Sequence, residues 1–105
     1  MEEMELIFFE IISTVGTARS AFIDAIGLAK KGDFKAAEAK INEGNEHFLQ
    51  GHKSHAKLIQ REASDEKLEF SLILVHAEDQ MMSAEAFKIL SEEFIDVYKR
   101  IEEGE

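Results

Sequence analysis

No proline interrupts this chain anywhere, and that absence constrains its fold more than any motif does. Proline removes a backbone donor and clashes with the preceding helical turn, so a chain without it can sustain long unbroken helices. Ala, Glu, Lys, Leu and Ile dominate, and few stretches alternate as strands do. At 105 residues there is room for one domain and one core. The expected fold is all-α: a three-helix antiparallel subunit spanning 1–105, with helices over about 3–30, 33–62 and 67–101.

The turns between these helices follow from local chemistry. Lys30 and Lys31 suit a helix C-terminus, Gly32 a left-handed cap, and Asp33 the N-cap of the next helix. The polar stretch Ala63-Ser64-Asp65-Glu66 marks the second turn. Gly16 lies inside the first helix at a cost of about 1 kcal/mol relative to Ala, which close approach of another backbone or a ligand would justify. Gly44 and Gly51 weaken the second helix, which must be held by packing.

Composition excludes several function classes. Without cysteine there are no disulfides, zinc–thiolate sites or cysteine nucleophiles in the chain itself. A formal charge of −10 leaves no basic stripe for phosphate backbones, so nucleic acid is not an expected partner. Glu2, Glu3 and Glu5 occupy the place of a basic signal-peptide region, and no apolar run approaches the ~20 residues needed to cross a bilayer. A soluble, cytoplasmic protein is expected, without membrane insertion.

The third helix carries two apolar stripes. One runs through Phe70, Ile73, Ala77, Ala84, Phe87, Phe94 and Tyr98, the other through Leu72, Val75, Met82, Ala86, Ile89 and Leu90. Two partner helices cannot cover both, so the surplus predicts a homo-oligomer. Within this helix, His76 and Asp79 lie three residues apart in an apolar run, where burial is expected and must be compensated. His76 is either a satisfied core histidine or a metal ligand, general base or covalent nucleophile. Gln80 and Ser83 follow on its face. Asp79 either bonds within its chain or meets its own copies on a symmetry axis, sharing protons or binding a metal. His52 and His55 form a weak metal-ligand pattern, and no Glu-x-x-His pair marks a di-iron bundle.

Three segments together carry a resemblance over nearly the whole chain: Gly16-Thr17-Ala18-Arg19-Ser20, Lys31-Gly32-Asp33-Phe34 and Val75-His76-Ala77-Glu78-Asp79. With them the sequence resembles the enzyme IIA component of the lactose/cellobiose class of the bacterial phosphoenolpyruvate-dependent sugar phosphotransferase system. The resemblance implies a homotrimer of three-helix subunits, a nine-helix bundle. It implies that His76 accepts a phosphoryl group from the histidine-containing phosphocarrier protein. The group would then pass to a cysteine of the IIB component, for uptake of a β-linked disaccharide through the IIC permease. It also implies that Asp79 lies on the trimer axis, where three copies can hold one divalent cation such as magnesium. Gln80, Ser83 and His52 are the supporting residues of the site.

The chain departs from the family pattern at four of these positions. Glu78 stands where the family has Gln, Gln80 where it has His, and His55-Ala56 where Gln-Thr is usual. Glu78 and Gln80 keep open a regulatory or structural trimer without phosphotransfer, and the histidines themselves leave a third reading, a metal-binding bundle using His52, His55 and His76.

Overall fold

The protein is described by a computed structural model covering residues 2–64 and 67–104. Three helices follow one another: α1 (Glu3–Lys30), α2 (Phe34–Ala63) and α3 (Leu72–Glu103). They form a rod of 57 × 21 × 20 Å, the length of a single long helix and the girth of a three-helix bundle. Helix α1 makes the larger interface with each of the other two, while α2 and α3 touch least.

The first turn forms as its residues predict. Gly32 takes φ 85°, the left-handed conformation that glycine reaches without steric cost. The Gly32 amide donates to the Ala29 carbonyl and the Asp33 amide to the Leu28 carbonyl, the two bonds of a Schellman cap. The Asp33 side chain then accepts from the Ala36 amide at 3.2 Å and starts α2. The second turn departs from the expectation of a helix from Lys67. Residues 67–71 are not helical, and α3 begins where Ser71, in extended backbone, accepts from the Leu74 amide at 3.2 Å. A serine able to cap overrides the apolar periodicity that runs through Phe70. Asp65 and Glu66, assigned to that turn by sequence, lie outside the described residues.

The core divides into two clusters along the rod. One gathers Ile7, Phe8, Ile11, Val15, Leu58, Ala77, Met81 and Ala84. The other gathers Ala18, Phe22, Ala25, Ala29, Ala37, Ile41 and Ile95. Alanines dominate the second, which lets the helix axes come close. On α2, a Cβ at Gly44 would stand 2.5 Å from the Phe22 ring, and one at Gly51 would run into Val15. These two glycines therefore mark the close approach of α1 and α2. Gly16, the glycine for which close contact was anticipated, would meet nothing within 4 Å in the subunit.

By length and composition α1 could cross a membrane, contrary to the absence of any such run inferred from the sequence. Nine of its residues, from Ile7 to Ala29, are instead buried within the bundle. Its apolarity is that of a central core helix.

Candidate functional site

The candidate residues of α3 divide by the direction each takes around the helix. Ala77, Met81, Ala84, Ser91 and Ile95 point into the bundle. On the opposite side Leu72, Val75, Asp79, Met82, Ala86, Ile89 and Glu93 recur at intervals of three and four, and every one is exposed. That spacing is the a/d seam of a coiled coil, with Leu72, Asp79, Ala86 and Glu93 at a positions and Val75, Met82 and Ile89 at d positions. The expected surplus apolar face is thus present along the rod, and the exposed Leu90, Phe94 and Val97 widen it on the e flank.

His76 and Asp79 are both exposed in the subunit, not buried as the apolar run around them suggested. The run is apolar on two faces at once: one feeds the subunit core and the other forms the seam. Asp79 sits within the seam, flanked by Val75 and Met82, with no hydrogen-bond partner among the described residues. Among the described residues it makes no intrachain bond to Ser, Thr or Lys, one of its two sequence readings. His76 lies at an e position on the flank nearer α1, followed along that flank by the half-buried Gln80 and Ser83. Neither holds the imidazole, which makes no hydrogen bond among the described residues.

Glu78 occupies the other flank, at a g position. Its carboxylate Oε1 lies 2.7 Å from Nε2 of His55 on α2. Here two of the departures prove to be one feature: a histidine–carboxylate pair spans α2 and α3. The paired departure was visible in the sequence, but its meaning required knowing that the two positions touch. Two further contacts tie α2 to α3, the Lys99–Glu38 ion pair at 2.8 Å and the Lys88 ammonium over the Phe48 ring. The Glu38 carboxylate raises the Lys99 pKa by accepting its hydrogen bond.

His52 is exposed on α2, stacked beside Phe48 with ring centroids 6.4 Å apart. It sits on the helix facing the Glu78 flank, so within one subunit it does not share the flank of His76. Within one subunit the same geometry gives the metal-bundle reading of His52, His55 and His76 no support. Among the described residues no three His, Asp or Glu side chains converge to hold a metal. His55 is taken by Glu78, and His76 lies on the opposite flank of α3. From the motif in α1, Arg19 lays its guanidinium over the Phe87 ring at 5.0 Å, joining α1 to the His76 side of α3.

The sequence profile for the lactose/cellobiose-specific IIA subunit of the sugar phosphotransferase system matches residues 6–99. The chain belongs to this family. It is 41% identical over 102 residues to the lichenan-specific phosphotransferase enzyme IIA component of Bacillus subtilis, covering 97% of this chain and 93% of that protein. It is 35% identical over 99 residues to the lactose-specific EIIA component of Staphylococcus aureus, covering 94% and 96%. The crystal structure of the cellobiose-specific enzyme IIA from Bacillus anthracis superposes with a TM-score of 0.94 at 39% identity, covering 97% of this chain and 94% of that one. The IIA(chitobiose) chain solved in solution with HPr, from the Escherichia coli N,N'-diacetylchitobiose branch, matches with a TM-score of 0.82 at 32% identity, covering 97% and 99%. The IIA family is therefore shown both by sequence and by fold, and this protein is a phosphotransfer component of a sugar uptake system.

Proposed function

We propose that this IIA protein carries a phosphoryl group on His76, taking it from the histidine phosphocarrier protein and passing it to a cysteine of a IIB component. The carrying observation is the position of His76. It is exposed, its imidazole makes no hydrogen bond among the described residues, and it lies on a flank beside a seam that needs a partner. A ring nitrogen of neutral imidazole attacks the donor's phosphorus, forming one P–N bond as the donor's P–N bond breaks. A cysteine thiolate of IIB then attacks the same phosphorus, and His76 leaves as neutral imidazole. The protein's work is positioning and charge stabilisation around a group in transit. Gln80 and Ser83 are the near hydrogen-bond partners for its oxygens.

Three copies associate through the α3 seam, with the helices parallel, in this reading. The apolar a and d side chains support it, because in water they otherwise remain uncovered. Asp79 from three subunits then meets at the axis, an all-oxygen donor set that suits a hard divalent cation such as magnesium. Such an ion would offset most of the charge of the three carboxylates and so hold the assembly together. The Escherichia coli relative solved with HPr supports the first partner. The relatives named for lichenan, lactose, cellobiose and chitobiose support a β-linked disaccharide as the sugar taken up through the IIC permease. Such a carrier works at the cytoplasmic face of the membrane without entering it.

The test is reconstitution. The protein is incubated with phosphoenolpyruvate, enzyme I and HPr, and the intact mass is followed. One acid-labile phosphoryl group per subunit is expected, and none in His76→Ala. Label that persists in this variant refutes the assignment. Absence of label on the wild type would leave the regulatory trimer as the better reading.

A further inference from the structure

The pair formed by His55 and Glu78 lies outside the phosphoryl site of its own subunit. On the α3 heptad, His76 and Ser83 are at e positions and Glu78 is at g, on opposite flanks of the seam. In any ring of parallel helices joined through a and d, the g flank of one helix faces the e flank of the next. Glu78 of each subunit therefore faces the stretch from His76 to Ser83 of its neighbour. From the seam reading above, on which this inference rests, we infer that Glu78, tethered by His55, is a positioning residue for the neighbouring subunit's His76.

Three observations carry the argument. Oε1 of Glu78 is fixed by His55 Nε2 at 2.7 Å, so the carboxylate is held in one direction. Its other oxygen has no hydrogen-bond partner among the described residues, and the side chain is 43% exposed, so an acceptor remains available on the open flank. His76, for its part, makes no bond within its own subunit, and its flank offers only the amide of Gln80 and the hydroxyl of Ser83.

An imidazole is oriented when one ring N–H donates to a carboxylate, which fixes the tautomer and frees the other nitrogen as a nucleophile. Glu78 can accept that N–H. A neutral amide at this position would bind the same proton more weakly, since charge-assisted hydrogen bonds are about twice as strong as neutral ones. His55 also donates to the carboxylate, which moderates its repulsion of the incoming phosphoryl oxygens. The His55–Glu78 pair thus couples subunits: each site is complete only when the next subunit supplies its α2–α3 clamp.

Subunit mixing tests this directly. Glu78→Gln is expected to lower the single-turnover rate of phosphoryl transfer from HPr about tenfold, with the trimer mass and helicity unchanged. Glu78→Gln is then unfolded and refolded with a large excess of His76→Ala, which cannot accept a phosphoryl group but retains Glu78. In the mixed trimers most His76 side chains now face an intact Glu78, and the rate of labelling should return to near the wild-type value. A purely structural role within the subunit would give no such rescue. The inference is overturned if Glu78→Gln transfers at or above the wild-type rate, or if mixed trimers form without rescue. A failure of the underlying reading appears separately, as a wild-type protein that takes no label or runs as a monomer, and it removes the inference with it.

Discussion

Replacing Met82 by glutamate is expected to dissolve the proposed trimer and leave the subunit folded. Met82 is 70% exposed in the subunit, at a d position between Asp79 and Ala86. Burying a whole Met side chain contributes about 1.5–3 kcal/mol, so covering this exposed part contributes about 1–2 kcal/mol per subunit. In the proposed trimer three copies would meet at one level of the axis, and losing all three would cost about 3–6 kcal/mol. At about 1.4 kcal/mol per decade this weakens trimer formation by ~100-fold to 10⁴-fold. Three added carboxylates one turn from the Asp79 layer increase the loss. The neighbours in the seam make the same kind of contribution: Leu72 is 84% exposed, Ile89 55% and Val75 42%. Light scattering coupled to size exclusion at low-micromolar concentration should give a trimer for the wild type and for Met82→Leu, and a monomer for Met82→Glu. Circular dichroism should show the same helicity for all three, because Met82 is no part of the subunit core. A Met82→Glu protein at the wild-type mass refutes the seam as the interface. One that has lost its helicity refutes the claim that this face is dispensable to the subunit.

Other outcomes follow from the same packing. Gly44→Ala gains about 1 kcal/mol in helix propensity but drives a methyl into the Phe22 ring, an overpacking cost of about 1–3 kcal/mol, so a lowered midpoint in urea is expected. Gly16→Ala, with no atom within 4 Å of its new Cβ, should instead raise the midpoint of the subunit. A drop there would mean that something packs on Gly16 in the assembly. Ser71→Ala removes the α3 N-cap and should cost about 1 kcal/mol in a thermal or urea melt. Asp79→Asn is expected to abolish magnesium-dependent stabilisation of the trimer, read as the shift in melting temperature on adding the cation or a chelator. An equal shift in both proteins would exclude the axial carboxylates as its ligands.

Much of the fold was written in local sequence. The absence of proline, the Lys31-Gly32-Asp33 turn and the periodic apolar residues are short-range signals, each acting within a turn or two of its own helix. They suffice for three helices and for a third helix with too much apolar surface. The start of α3 escaped because a capping serine and a helical period competed over the same few residues, and capping won. The apolar run around them made His76 and Asp79 candidates and the resemblance gave them roles, but neither gave their surroundings.

What only tertiary structure decided is which of two apolar faces looks inward. Sequence periodicity places His76 and Asp79 among apolar neighbours equally well whether that face meets its own subunit or water. The packing of α3 against α1 and α2 fixes Ala77, Met81 and Ala84 inside, and so leaves Asp79 in an exposed seam and His76 on its flank. The same packing brought His55 to Glu78 across 23 positions of sequence. No local rule links residues so far apart, because contact between helices depends on where both turns place them. Sequence alone therefore determined the helices and named the chemistry. The bundle decided which side chains could meet.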